Sequence, residues 1–160
     1  MKTFLIILLL GITVYMAEAN TVRGKVISVV DGNTVEVVSA EDEMYRIVLA
    51  GIDCPDPGQP YAEEAKKFLE EALLRKSIDV KLVGKDRWGN YLGEIMTEVE
   101  VSAELVKRGL AWCHEKNAPE SLKALEQQAR EQRIGLWQEE NPTAPWIYRR
   151  QQSMLQPKGM

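Results

Sequence analysis

Apolar and polar residues alternate along three stretches near the start of the chain, as expected for strands that bury one face. These stretches run from Val22 to Val30, from Thr34 to Val38 and from Tyr45 to Ile52. Asp31-Gly32-Asn33, between the first two stretches, has the composition of a tight hairpin turn. A polar, acidic loop from Ser39 to Glu43 precedes the third stretch. The pattern therefore predicts three strands in a meander.

The next part of the chain mixes helical and strand periodicity. After Pro60, apolar residues recur at intervals of three and four, which predicts a helix with one buried face. Ser77 to Val83 and Tyr91 to Met96 have the alternation of strands, and a polar loop from Gly84 to Asn90 separates them. Two further strands are therefore predicted.

Two more helices are predicted downstream. Ser102 can cap a short helix from Ala103 to Arg108, and a longer helix follows Pro119. Asn141-Pro142 and Pro145-Trp146 predict the end of regular structure. Five strands with three helices indicate an α+β domain, and a small antiparallel barrel of the OB-fold type is an economical closure for five short strands.

The first nineteen residues differ in composition from the rest of the chain. A short apolar run, Phe4 to Val14, precedes Ala17-Glu18-Ala19, which has the small-x-small form that signal peptidase cuts. We predict a signal peptide over 1–19, a globular domain over 20–150 and a C-terminal tail over 151–160. The apolar run is shorter than the roughly 20 residues that a bilayer span requires. We therefore expect that the mature chain has no transmembrane segment and that it is secreted or periplasmic.

Export affects the interpretation of Cys54 and Cys113, because an oxidising compartment allows two cysteines to pair. A disulfide between them would close a loop of about sixty residues and could add about 4 kcal/mol of stability in the chain-entropy model. Two separately buried thiols are the alternative. The sequence leaves both possibilities open.

The net charge of −4 argues against a protein that grips nucleic acid through many phosphates. Such affinity comes from Lys and Arg side chains that displace counterions. Any nucleic-acid contact is therefore expected to be local and weak. In the polar loop before the fifth strand, Lys85, Arg87 and Trp88 are the candidates for phosphate and base contacts. The sequence identifies no protein partner, and a monomer is expected.

Two acidic turns offer oxygen atoms to a cation. Asp53 and Asp56 flank Pro55 at the end of the third strand, and Asp31 and Asn33 lie in the turn after the first strand. If these strands are neighbours in one sheet, the oxygens can converge on one hard cation such as calcium. The alternative is that Asp-Gly-Asn only closes a hairpin and that the prolines only end a strand.

The order of these motifs resembles that of the staphylococcal-nuclease (thermonuclease) family. The segments that carry the resemblance are Val30–Val35, Leu49–Asp56, Lys85–Asn90, Leu105–Trp112 and Gly135–Trp137, followed by Asn141-Pro142 and Pro145-Trp146. They follow the order and spacing of the family across most of the chain. The resemblance implies an OB-fold barrel and calcium-dependent hydrolysis of phosphodiesters in DNA and RNA.

The resemblance also implies a metal site with fewer charges than the family pattern. Asp53 matches an aspartate ligand, the backbone carbonyl of Cys54 matches a carbonyl ligand, and Asp31 matches an aspartate that supports the ligands. Asn33 stands where the family has its other ligating aspartate, so calcium affinity is expected to be weakened. Asp56 replaces a glutamate that positions the attacking water, and its side chain is one methylene shorter.

The two arginines that clamp the phosphate in the family are missing from their positions, which hold Val48 and Asn90. One preorganised donor typically contributes about 10² to 10³ in rate, so the loss of two predicts a deficit on the order of 10⁴ or more. Arg46 lies on the same strand face as Val48, displaced by roughly 6.6 Å, and is an alternative source of a guanidinium. A basic side chain from elsewhere in the chain would also overturn this expectation.

We therefore predict a nuclease-like protein with a degenerate catalytic site, weak or no phosphodiester hydrolysis, and residual binding of nucleic acid or another ligand. One alternative is a working calcium-dependent endonuclease for DNA and RNA that uses Arg46 together with Asp56. Another alternative is a protein-interaction module that binds neither metal nor nucleotide.

Overall fold

The computed structural model describes residues 20–155. The predicted signal peptide and the last five residues of the predicted tail lie outside the described residues, so export stays a prediction. Within the described range, no helix combines the length and the apolar character that a membrane span requires.

In the part of the chain that the structure describes, seven strands form one barrel and one small ribbon. They are β1 (Thr21–Asp31), β2 (Thr34–Ser39), β3 (Met44–Leu49), β4 (Ile52–Asp53), β5 (Ser77–Lys85), β6 (Tyr91–Met96) and β7 (Trp112–Cys113). The barrel closes in the order β1-β2-β3-β6-β5, which confirms the predicted five-stranded α+β fold. The pairing of β3 with β6 is parallel, so the barrel is mixed and not purely antiparallel as predicted.

Alternating residues of the barrel strands fill the interior, because successive side chains of a strand point to opposite faces. The fully buried members of this set are Val26, Val35, Val37, Ile47, Val80 and Ile95. Leu69 and Leu73 from the first helix belong to the same core. Burial of each large aliphatic side chain stabilises the fold by about 1.5–3 kcal/mol. This core holds the turns at the end of the barrel in fixed positions.

The third strand is shorter than the prediction of a continuous strand to Ile52. β3 ends at Leu49, and Gly51 adopts a left-handed conformation with φ of 77°. A residue without Cβ adopts this conformation at little cost, so the chain can turn out of the barrel here. β4 then pairs with β7 in a separate two-stranded ribbon. Asp53 therefore lies at the end of this ribbon and not within the barrel.

Between residues 20 and 155 the chain also forms four α-helices and one 3₁₀ turn. They are α1 (Ala62–Leu73), α2 (Val101–Lys107), α3 (Glu120–Glu131), the 3₁₀ turn Gly135–Gln138 and α4 (Pro145–Leu155). The first three helices match the predicted ones. The predicted cap of α2 is wrong, because the Glu100 carboxylate, and not Ser102, accepts hydrogen bonds from the backbone N–H groups of Ser102 and Ala103 at 3.0 Å.

The fourth helix lies where the sequence predicted a break and then a tail. Pro145 is its first residue, and the helix continues to Leu155. Proline suits the first helical position because its fixed φ matches the helix and its missing N–H would be unpaired there in any case. The same residue type that predicted a break therefore begins a helix.

Candidate metal and phosphate site

A groove with a volume of about 800 Å³ opens at the end of the barrel where the two acidic turns meet. Asp31, Asn33, Asp53 and Asp56 all line this groove. The side chains of the two turns therefore lie along the same groove.

Close packing fixes the β1–β2 turn against the segment after β4. A Cβ atom built on Gly32 would lie 2.8 Å from the Cβ of Cys54, so only glycine fits. The Cys54 thiol donates a hydrogen bond to the Gly32 carbonyl at 3.2 Å, and the Asp31 carboxylate accepts one from the N–H of Asn33 at 3.0 Å. Asp31 thus supports the turn that carries Asn33.

Asp53 and Asp56, here called the acidic pair, contact a basic side chain that the sequence did not point to. Arg149, on α4, donates from Nη2 to Oδ2 of Asp53 at 2.6 Å. Its Nη1 lies 3.0 Å from each carboxylate oxygen of Asp56 and 3.3 Å from Oδ1 of Asp53. One guanidinium therefore bridges two aspartates that are 96 and 93 residues away in the sequence.

The bridge between these three side chains is partly sheltered from water. The exposed fraction of the side chain is 43% for Arg149, 9% for Asp53 and 26% for Asp56. Burial raises the pKa of the Asp56 carboxyl above its ordinary value, although the charge of Arg149 opposes this shift. Burial by itself would lower the pKa of Arg149, but the hydrogen bonds and charges of the two aspartates outweigh it and raise that pKa. Arg149 is therefore a permanent cation on the acidic pair.

Contacts other than the ion pair hold α4 beside the acidic turn. Trp146 packs edge-on against Trp112, with ring centroids 5.7 Å apart. The buried Gln59 accepts a hydrogen bond from the N–H of Asp56 at 2.9 Å and donates one to the Thr143 carbonyl at 2.8 Å. The segment that leads into α4 is thus tied directly to the loop that carries Asp56.

The positions of the family's two arginines provide no positive charge. Val48 lines the groove between Thr34 of β2 and Leu92 of β6. Arg46 also lines the groove, but its Nη1 faces Oε1 of Glu36, its cross-strand neighbour, at 3.7 Å. Arg149, and not Arg46, contacts the acidic pair in this structure.

The other missing arginine position belongs to a loop that satisfies its own polar groups. Asn90 donates from its side-chain amide to Asp86 at 2.8 Å, and Asp86 also accepts the backbone N–H groups of Trp88 and Asn90 at 2.9 Å. Burial would raise the pKa of Asp86, but these hydrogen bonds outweigh it and lower the pKa below its ordinary value. Asn90 is therefore committed to the loop and not directed at a ligand.

The candidate nucleic-acid contacts lie on the same side of the groove. Trp88 is 69% exposed, and the Arg87 guanidinium stacks on its ring at 4.1 Å. The Lys85 ammonium lies 4.2 Å from the centre of the Tyr91 ring. Lys85, Arg87 and Trp88 all line the groove. The arrangement offers an open aromatic face and two cations.

Calcium is the ion that the family resemblance implies, and the donors of this groove can be tested against it. Asp53 and Asp56 supply carboxylate oxygens and Asn33 can supply an amide oxygen, which are the hard donors that calcium prefers. Arg149 already places a positive charge between the two carboxylates. Among residues 20–155, no cluster of three or more His, Cys, Asp or Glu side chains suitable for a metal occurs. By chemical type, the two carboxylates and the amide suit a hard divalent cation, with fewer charges than the family pattern, and Arg149 now occupies both carboxylates.

The two cysteines are separate. Cys54 and Cys113 are both free and buried, which corresponds to the alternative of two thiols and not to a disulfide. Burial raises the pKa of Cys113 to about 12. Neither thiol is therefore ionised at neutral pH, since burial also raises the pKa of Cys54 well above its ordinary value.

Comparison with known proteins connects this geometry to a family. The family described as "Staphylococcal nuclease homologue" matches residues 46–139. The chain is 33% identical over 131 residues to an "Uncharacterized endonuclease" of Escherichia coli O157:H7, a match that covers 80% of this chain and 85% of the relative.

Two other relatives agree with this assignment. The chain is 33% identical over 159 residues to an "Uncharacterized endonuclease" of Haemophilus influenzae, covering 96% of this chain and 88% of the relative. It is 30% identical over 141 residues to the "Micrococcal nuclease" of Shigella flexneri, covering 80% of each chain. With its closed five-stranded barrel and its acidic groove, the chain belongs to the staphylococcal nuclease family.

Proposed function

We propose that this protein is a slow, divalent-cation-dependent nuclease in which Arg149 supplies the guanidinium that Val48 and Asn90 do not. The observation that carries the proposal is the contact of Arg149 with both Asp53 and Asp56. This contact supports the proposal because it brings a permanent positive charge into the groove, and the reaction requires such a charge on the phosphate. Membership of a family with relatives named as nucleases supports the reaction class.

The reaction explains why these side chains are needed. Attack of water on a phosphodiester adds negative charge to the phosphoryl oxygens, and preorganised positive groups lower the barrier by stabilising that charge. A bound divalent cation supplies part of this stabilisation. Asp53, with Asn33 and the Cys54 carbonyl, would hold the cation, and Asp56 would orient the water. Arg149 would donate hydrogen bonds to the phosphoryl oxygens.

Three departures from the family pattern make the proposed reaction slow. Asn33 brings no charge to the cation, and Asp56 is one methylene too short for a water placed for glutamate. A misplacement of about 1 Å can cost about 10² in rate. Arg149 replaces two arginines with one, which costs about another 10² to 10³. Weak hydrolysis is therefore expected, in place of the rate of a member with both arginines.

Cleavage of DNA in the presence of millimolar calcium tests the proposal. We expect measurable turnover that a chelator or Asp53→Asn abolishes. Arg149→Ala is expected to lower kcat/KM by about 10² or more, because it removes the guanidinium that contacts Asp53 and Asp56. Arg150→Ala is the matched control, since Arg150 is exposed on the same helix and forms no salt bridge within the described range. Arg46→Ala measures the contribution of the other guanidinium in the groove.

The cleavage rates of these variants show which arginine supplies the guanidinium. Absence of turnover in the wild-type protein, or equal activity of Arg149→Ala and Arg150→Ala, would contradict the proposal. A large loss in Arg46→Ala with no loss in Arg149→Ala would instead assign the guanidinium role to Arg46.

A second candidate function is binding of nucleic acid or a nucleotide without hydrolysis. The neutral Asn33 and the short Asp56 favour it, because they weaken the cation site and the water position while Trp88 stays exposed. Calorimetric titration with calcium and a nucleoside bisphosphate separates the candidates. Binding without turnover supports this function, and absence of any binding would support a protein-interaction module.

A further inference from the structure

We propose that Arg149 is a built-in counterion that competes with the divalent cation for Asp53 and Asp56, so that its guanidinium occupies the two carboxylates until metal and phosphate enter together. The inference rests on the proposed function and specifies how the same site is regulated. In the resting protein the guanidinium occupies the acidic pair. In the loaded protein it would leave the carboxylates and bind the phosphate.

The geometry of the bridge makes the two cations mutually exclusive. Both oxygens of Asp53 and both oxygens of Asp56 lie within 2.6–3.3 Å of a guanidinium nitrogen. Calcium binds carboxylate oxygens directly, at about 2.3–2.6 Å. A doubly charged ion on these oxygens would be next to the guanidinium and would repel it. Direct coordination by either aspartate therefore requires that Arg149 moves.

The anchoring of α4 allows such a movement without unfolding of the helix. Trp146 packs on Trp112, and Gln59 binds the Thr143 carbonyl, so the helix has contacts that do not involve Arg149. The Arg149 side chain is long and 43% exposed, and it lines the same groove as the candidate phosphate contacts. It can therefore change partners by rotation of the side chain alone.

This exchange couples the two ligands. Metal binding alone leaves Arg149 without a partner, and phosphate binding alone must compete with two aspartates for the guanidinium. When both ligands are present, each cation has an anionic partner. Metal and phosphate should therefore increase the affinity of each other, and this coupling is reciprocal.

Titration of the full chain with calcium, monitored by calorimetry in the absence of nucleic acid, tests the competition between Arg149 and the cation. We expect Arg149→Gln to bind calcium about tenfold more tightly than the wild-type protein, because no guanidinium has to leave. Arg150→Gln removes the same charge one residue away and is expected to change the affinity by less than about threefold. Arg149→Lys keeps the charge without the two-pronged geometry and is expected to give an intermediate affinity.

Thermal unfolding gives a second measurement that also detects misfolding. Without calcium, Arg149→Gln should melt at a lower temperature than the wild-type protein, since the two aspartates lose their counterion. Saturating calcium should raise the Tm of Arg149→Gln more than that of the wild-type protein, because tighter binding to the folded state gives greater stabilisation.

Each outcome bears on one proposal separately. Calcium affinity in Arg149→Gln that is no higher than in Arg150→Gln, or absence of calcium binding in all variants, would overturn the competition. If the ion pair is purely structural, Arg149→Gln should have a calcium affinity no higher than that of Arg150→Gln and should also have a lowered Tm. If Arg149→Gln gains affinity but no variant cleaves DNA, the competition stands and the nuclease proposal fails. If the wild-type protein cleaves DNA and Arg149→Gln has the same calcium affinity as the wild-type protein, the nuclease proposal stands and the competition fails.

Discussion

The two walls of the groove acquire their electrostatic character in different ways. The acidic wall, formed by Asp53, Asp56 and Arg149, depends on contacts between residues 93 and 96 positions apart. The loop wall, residues 85–90, is held by hydrogen bonds that the Asp86 carboxylate accepts from residues at most four positions away. The charge of the acidic wall is thus a property of the whole fold, whereas the loop wall is a local structure.

The difference shows that the charges along one groove can have a long-range origin on one wall and a local origin on the other. On the loop wall, Asn90 stands at the family's arginine position and is tied into the loop by Asp86, while Lys85 and Arg87 line the groove. On the acidic wall, Arg149 of α4, a helix remote in sequence, contacts both aspartates. One wall therefore depends on the packing of α4, and the other depends on neighbouring residues of one loop.

The largest expected effect comes from returning a guanidinium to its family position. Val48→Arg places a cation in the groove next to the acidic wall, and we expect kcat/KM for DNA cleavage to rise by about 10². Steady-state kinetics with calcium would measure it. Ile27→Arg, at an exposed position on β1 that does not line the groove, is the control for added charge. An unchanged rate would mean that Arg149 alone meets the requirement for a guanidinium.

A smaller effect is expected from the ion pair on the acidic wall. A double-mutant cycle with Asp56→Asn and Arg149→Gln should give a coupling of about 1 kcal/mol in the free energy of unfolding, because both side chains are partly exposed and water screens their attraction. Urea unfolding without calcium measures the coupling. A coupling near zero would show that Trp146 and Gln59 hold α4 in place without help from the ion pair.

The smallest effect is the pH response of the loop wall. The folded state lowers the pKa of Asp86 from its ordinary value of 3.8, so its carboxylate stabilises the loop above that pH. This contribution should be lost as the pH falls through the lowered pKa. The amide resonances of Trp88 and Asn90 should report the transition by NMR, and Asp86→Asn should lack it. A transition above the ordinary pKa would contradict the sign of the shift.

Local patterns in the sequence were sufficient to predict the barrel and the position of the acidic turns. Alternation identified the barrel strands, and Asp31-Gly32-Asn33 identified the first turn, because both signals lie within a few neighbouring residues. The parallel pairing of β3 with β6 was not accessible in this way. It depends on barrel closure, which no short segment encodes.

Arg149 was missed for a related physical reason. Pro145 was interpreted as a breaker, although proline also suits the first position of a helix. The amphipathic run from Trp146 to Arg150 could have indicated the helix, and two retained aspartates without their arginines could have prompted a search for another cation. Arg149, and not Arg150, faces the aspartates because of the orientation of the helix, which the packing of Trp146 on Trp112 helps to set. The sequence alone does not show this orientation.

The buried amide of Gln59 has a consequence for the chemistry of the groove. This uncharged side chain joins the backbone at Asp56 to the backbone at Thr143, and so it sets the distance between an anion and the helix that carries its counterion. A neutral substitution such as Gln59→Leu would leave the formal charge of the protein unchanged and still alter the local field that an incoming phosphate meets. In this fold, an uncharged amide links the loop of an anion to the segment before the helix of its counterion.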